Sequence, residues 1–457
     1  MKSILWCAVF MCALARGAVV AAQVPEASAN PAPDDRYKAD ILLIVAHPDD
    51  ETALGSYLAR AVFDEGRRVA IVYCNRGEGG GNSHGNEQST ALGAVREIEA
   101  RKATAEFGIS NVWFLSGRDT PGQDLFRSLE VWGHGKLLED VIRLVRLTRP
   151  EVIMTWLPHF VSGENHGDHQ ASGVIATEAF DMAGDPTVFP AQVAVPRERA
   201  DINNSTEGLI PWQAKKLFFV SDASHEILAE GPAFDPTAVS PSQKVPYDRL
   251  AIRLHTPHLT QADVSQPALD AVKSGDFKKF SEWLGKFHLI FGKSIVPTSP
   301  TAGVFDGIGK SPAPFVPPRG YAAKERPQPS LAFGGVFEFY RQFWAAHDID
   351  RIASLVPAEI EVAAGSYLFI PLVLRNSTAQ PMDVVLTSTL PQGWKEAAGS
   401  GRFTLAPGET RPVQTFIQCP ATPAGKALNV VWTASSKGTA LGAATMSVRL
   451  VEWSLPQ

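Results

Sequence analysis

Short apolar runs alternate with amphipathic stretches through the first half of the chain. Ile41–Val45, Val69–Tyr73, Val112–Leu115 and Val152–Trp156 are brief β-rich runs. Runs this short and this continuous predict strands buried on both faces. Between them the apolar positions fall at helical spacing. Thr52 to Glu65 puts Ala53, Leu54, Tyr57, Leu58, Ala61 and Val62 on one face, and Gly66 ends it. Ser89 to Phe107, Lys136 to Leu147 and Gln170 to Met182 predict further helices, and Lys215–Val220 one more strand. Alternation of this kind predicts an α/β fold, a Rossmann-like, mainly parallel sheet flanked by helices.

The pattern then changes twice. Residues 223–290 have no clean period, apart from an aromatic-rich helix expected over Phe277–Phe291. Residues 296–355 include Pro312, Pro314, Pro317 and Pro318 and read as a proline-rich linker, with a short helix over Phe337–Ile349. From 356 to 457, β-rich runs recur between turns: Tyr367–Leu374, Met382–Leu390, Arg402–Leu405, Pro412–Ile417, Leu428–Ala434 and Ala444–Val451. About seven short strands in such a span predict an immunoglobulin-like β-sandwich.

At the N-terminus, Lys2 precedes the apolar run Ile4–Ala15, too short to span a bilayer and followed by Val20-Ala21-Ala22. Residues 1–22 therefore read as a cleavable signal peptide, and a secreted or periplasmic location is expected. No later run is long and apolar enough to suggest a stable membrane span. Cys7 and Cys12 lie in the signal, which leaves Cys74 and Cys419 as two expected free, buried thiols. A net charge of −6 offers no general attraction for a polyanion, so nucleic acid is not an expected partner.

Candidate chemistry gathers at two strand ends. Ile41–Val45 runs into Ala46-His47-Pro48-Asp49-Asp50-Glu51. One imidazole and three carboxylates there are costly to desolvate unless a cation compensates them. Val152–Trp156 is followed by Asn165-His166-Gly167-Asp168-His169. Two His and one Asp at similar strand ends make a three-ligand set with an open position, the pattern of catalytic zinc. Such an O/N set also tolerates other divalent transition metals.

These two motifs, in this order, resemble the PIG-L/LmbE-like de-N-acetylases over roughly residues 38 to 225. The resemblance implies a deacetylase domain over 38–295 that hydrolyses the acetamide of an N-acetylglucosamine-type sugar or glycoconjugate. It implies His47, Asp50 and His169 as ligands of Zn2+ or another divalent metal. It implies Asp49 as the general base and then acid, and His166 as the oxyanion stabiliser, expected as imidazolium. Glu51 is expected to brace the site from behind. Arg96 in Arg96-Glu97-Ile98-Glu99 and Asp119 in Gly117-Arg118-Asp119 match substrate-binding positions, although an i,i+3 helix pair and a turn explain them nearly as well. Asp168 is expected to orient a neighbour, and His255 and His258 are candidates to line the cleft. A tyrosine that some relatives carry before the histidine pair is missing from Phe160–Asn165. Two other functions stay open from sequence: a metal-dependent amidohydrolase on a non-sugar amide, and a noncatalytic carbohydrate-binding protein.

Overall fold

The computed structural model describes residues 32–160, 166–194, 207–221, 230–309, 328–355 and 357–452. The expected signal peptide and Pro312 to Pro318 lie outside the described residues. In chain order the first part comprises β1 (Ile41–Val45), α1 (Gly55–Phe63), β2 (Val69–Tyr73), α2 (Thr90–Ala105), β3 (Val112–Phe114), α3 (Leu125–Trp132), α4 (His134–Thr148) and β4 (Val152–Trp156). It continues through α5 (Gly167–Met182), α6 (Pro190–Val193), β5 (Lys216–Val220), α7 (Tyr247–His255), α8 (Ala262–Ser274), α9 (Lys278–Leu284) and β6 (Ile290–Ser294). Six strands form one sheet in the order β3-β2-β1-β4-β5-β6. All pairs are parallel except β5 with β6.

β1 explains why the strand run is apolar throughout. Leu42 and Ile44 face a layer that includes α3, α4 and α5, whereas Ile41, Leu43 and Val45 face α1, α2 and α7. All five side chains are fully buried. Each contributes about 1.5–3 kcal/mol of burial, which fixes the strand whose end carries the candidate chemistry.

Two expectations change. The helix predicted over Phe277–Phe291 stops at Leu284, and Ile290 and Phe291 instead pair with Phe219 and Phe218 on the open edge of β5. Pairing that edge satisfies its backbone groups, which a longer helix would leave bare. Residues 328–355, expected within the linker, carry β7 (Ser330–Phe333), α10 (Val336–Ala346) and a 3-10 turn, Asp350–Ser354. Tyr340, Phe343 and Trp344 recur at helical spacing and enter the α/β core. Phe339, on the same helix, meets Phe126 of α3 edge to face.

The remaining strands are β8 (Glu359–Ala363), β9 (Tyr367–Arg375), β10 (Met382–Thr389), β11 (Lys395–Ala398), β12 (Gly401–Leu405), β13 (Thr410–Gln418), β14 (Leu428–Ser436) and β15 (Thr439–Val451). They form two sheets, β12-β10-β14-β15-β8 and β11-β13-β9-β7. Leu368, Ile370, Leu372 and Leu374 of one sheet share an apolar cluster with Trp432, Met446 and Val448 of the other. Cys74 and Cys419 are buried free thiols, as expected. Among the described residues no helix is long and apolar enough to cross a membrane.

Candidate metal centre and active site

Beyond β1 the chain continues to β2 on one side of the sheet, and beyond β4 to β5 on the other. A crevice opens at the carboxyl ends of strands where the order reverses in this way. His47, Asp49 and Asp50 follow β1, and His166 and His169 follow β4.

The turn after β1 orients Asp50 closely. The backbone N–H groups of Ala46 and His47 each donate to Asp50 Oδ2 at 2.9 Å. The Trp156 indole N–H donates to the same oxygen at 2.7 Å. Oδ1 is thereby turned to the imidazoles, 3.6 Å from His47 Nδ1 and 3.3 Å from His169 Nε2. Trp156 also stacks on His169 with ring centroids 4.2 Å apart and 8° between planes. One strand-end tryptophan thus positions two of the three expected ligands.

Asp168 performs the matching task for His47. Its Oδ2 lies 3.3 Å from His47 Nε2. Asn75 Nδ2 donates to that oxygen at 2.9 Å and the Thr120 N–H at 3.1 Å, while Thr120 Oγ1 donates to Oδ1 at 2.5 Å. A proton on His47 Nε2 leaves the Nδ1 lone pair on the side of Asp50 and His169. Gly167 permits this packing. A Cβ there would lie 2.6 Å from the Asp124 carbonyl carbon and 2.8 Å from Ser128 Oγ, so a larger residue would push the start of α5 off α3.

One ligand atom each from His47, Asp50 and His169 lies within 4.8 Å of the others. Two imidazoles and a carboxylate oxygen that no backbone or indole donor occupies fit a divalent cation. His47, Asp119, His166 and Asp168 also cluster. There the donors from Thr120 and Asn75 already occupy Asp168, which marks that group as support for His47.

The charges follow from this crowding. Burial opposes ionisation of Asp50, yet His169 and His47 hold it well below the usual carboxylate range. Burial, with the Asp50 charge beside it, pushes Asp49 up to about 7. A dication at the three ligands acts in the opposite direction on Asp49. Burial opposes protonation of His47, but Asp119, Asp168 and Asp50 raise it well above its ordinary value. Burial and the neighbouring His47 and His169 push His166 down to about 4. Burial first, and then the rings of His47 and His169, 4.6 Å and 5.7 Å away between centroids, act against the imidazolium expected for His166. A neutral ring still offers one N–H donor.

The other expected residues divide. Glu51 is fully buried behind the turn, where Tyr73 Oη donates to it at 2.7 Å. Asp119 accepts the Gly79 N–H at 3.0 Å, and its other oxygen lies 3.5 Å from His47 and 3.7 Å from His166. Although burial opposes it, those imidazoles hold Asp119 down to about 2. Arg96 is buried in α2 and donates to the Gly81 carbonyl at 3.0 Å. A Cβ at Gly80 would lie 2.6 Å from its guanidinium, so the glycine loop wraps this cation closely. The alternative Arg96–Glu99 pair is not what forms, since Glu99 accepts from Thr260 N–H at 3.0 Å and Oγ1 at 2.6 Å. His255 is buried under Gly55 and aromatic side chains, and His258 meets Glu51, so neither is at the open side of the cluster.

Trp156, Asn75 and Thr120 were not legible as site residues. A usable signal exists for two of them: Trp156 ends β4 and Asn75 follows β2, so both present a side-chain N–H at the strand ends that carry the motifs.

Residues 42–180 match the PIG-L family. That family model is described as GlcNAc-PI de-N-acetylase. The chain is 30% identical over 166 residues to 1D-myo-inositol 2-acetamido-2-deoxy-alpha-D-glucopyranoside deacetylase 1 of Frankia casuarinae, covering 33% of this chain and 53% of that protein. It is 27% identical over 224 residues to the deacetylase of the same description from Thermobifida fusca, covering 44% and 70%. The chain thus spans about half the length of the Frankia relative. The solved N,N'-diacetylchitobiose deacetylase from Pyrococcus horikoshii aligns at 16% identity and a TM-score of 0.38, covering 56% of this chain and 85% of that one. The PIG-L match includes every expected ligand together with Asp49 and His166.

Proposed function

We propose that the protein is a divalent-metal-dependent de-N-acetylase that hydrolyses the acetamide of an N-acetylglucosamine-type sugar or glycoconjugate. The observation that carries this reading is the convergence of His47, Asp50 and His169 at two adjacent strand ends, with Asp49 and His166 beside them. Zinc is the proposed ion. When bound, it supplies Lewis acidity and makes water a competent nucleophile near neutral pH.

The chain's own groups do the rest. Asp49 accepts the proton of the attacking water and returns it to the departing amine nitrogen. His166 donates a hydrogen bond to the carbonyl oxygen as charge develops on it, as a neutral imidazole. Arg96 and Asp119 are the proposed contacts for sugar hydroxyls. Asp168 and Trp156 keep the ligands oriented. The N-acetylglucosamine moiety is proposed because the PIG-L relatives are named for substrates of that class. The N-terminal run supports export with removal of residues 1–22, and the two C-terminal sheets support an immunoglobulin-like sandwich.

The test is acetate release by the metal-loaded mature protein against a panel of N-acetylated sugars and glycans. Release from at least one N-acetylglucosamine-containing member, abolished by chelation and restored by zinc, is expected. Activity confined to non-sugar amides would replace this reading.

A further inference from the structure

We infer that His258 is a positioning residue that holds Asp49 in its working conformation through Glu51, an inference that rests on Asp49 being the base proposed above. Asp49 has φ 124° and ψ −21°. A non-glycine residue held in such a region costs on the order of 1–3 kcal/mol and persists only when its surroundings enforce it. The enforcing contact is on its own amide. The Asp49 N–H donates to Glu51 Oε2 at 3.1 Å.

Glu51 is itself fixed at both oxygens. Tyr73 Oη donates to Oε2 at 2.7 Å, and His258 Nε2 lies 2.7 Å from Oε1. Glu51 and His258 are both fully buried. A buried carboxylate beside Asp49 and Asp50 is expensive without a donor of this strength. The same short segment grips the turn a second time, because Gln261 Nε2 donates to the Pro48 carbonyl at 2.5 Å. It is anchored in turn to α2 and the glycine loop. Thr260 donates to Glu99, and the Ser83 N–H donates to the Thr260 carbonyl at 2.9 Å. Residues 258–261 thus clamp the residues on either side of Asp49. They lie outside residues 42–180, which the family model matches.

Removing His258 leaves Glu51 buried with one oxygen unpaired. Glu51 then reorients, frees the Asp49 amide, and lets the strained backbone relax away from the reacting water. His258→Gln keeps an N–H donor at similar reach, whereas His258→Asn is too short to meet Glu51.

The experiment uses the full metal-loaded chain and compares wild type, H258Q, H258N and H258A. Amide hydrogen exchange over residues 46–54 should be accelerated in H258N and H258A and near wild type in H258Q. With an N-acetylated sugar that the wild type hydrolyses, kcat should fall about 10–100-fold in H258N and H258A. KM and metal content should be unchanged, and H258Q should recover most of kcat. Combined with Asp49→Asn, the loss of His258 should cost nothing more, because both changes act through one group. H258N with wild-type exchange and kcat overturns the inference. So does H258Q as impaired as H258N, or a loss that multiplies with Asp49→Asn. Should the wild type hydrolyse no acetamide, the proposed function fails, and the exchange comparison alone decides whether His258 holds the turn. If H258A does not fold, the H258N and H258Q pair decides.

Discussion

His47, Asp50 and His169 differ from most buried ionisable groups in how completely their orientation is determined. Asp50 has three donors on one oxygen, which leaves the other for a cation. His47→Ala should therefore lower the stoichiometry of bound metal after dialysis, measured by elemental analysis. Full metal content in that variant would remove His47 from the ligand set. His166 has no such ties, and its ring is partly exposed. His166→Ala should retain the ion while kcat falls about 10²–10³-fold, the usual worth of one preorganised donor. Loss of metal in that variant would make His166 a ligand instead. The ligand residues were legible because His-x-x-Asp stands directly after one strand run and His-x-x-His follows another after a loop. Trp156 was hidden, because an aromatic at the end of an apolar run reads as core, and it is core as well as donor.

β1, β2 and β4 were legible residue by residue, since β1 and β2 are apolar throughout and β4 is apolar except at Thr155. α3 was missed because it is one short helix packed immediately before another, with Gly133 between them. β7 was missed because four residues carry no readable period. The loop after β4 and the end of α7 each bury a histidine that burial pushes down to about 4: His159 and His255. An unfolded histidine titrates near 6.5, so between about pH 6.5 and 4 the unfolded chain binds the extra proton. Stability from each neutral ring is complete above that window and is lost as pH falls through it. At pH 5 the loss is on the order of 2 kcal/mol per histidine. In His159→Phe, which keeps an aromatic ring against Trp344, the gap between the urea midpoints at pH 7.5 and 5 should narrow by about half of the two-histidine contribution, the His255 share remaining. An unchanged pH dependence would exclude His159 as a contributor.

Across the whole chain, the C-terminal sheets are less separable than their sequence implies. β7 pairs with β9, while α10, three residues later, enters the α/β core. Phe337 and Ile360 touch both cores. A truncation after residue 355 should leave Leu331 and Phe333 without their partner sheet. That product should be less soluble than the full chain, and extending the deletion through β7 should not rescue it if α10 is lost as well. Trp344→Ala should cost about 3–5 kcal/mol by chemical denaturation, because it leaves a core cavity and an unpaired Pro158 carbonyl. The helix also reaches the centre, since Tyr340 Oη donates to Gln170 Oε1, next to His169 in the chain, at 2.8 Å. The proposed hydrolase chemistry finally rests on Asp49 acting beside a bound ion. It is tested most directly by acetate release from an N-acetylglucosamine-containing substrate, comparing wild type with Asp49→Asn at equal metal content. A general base predicts a loss of about 10²–10⁴-fold with the ion retained, whereas equal rates for the two proteins would contradict it.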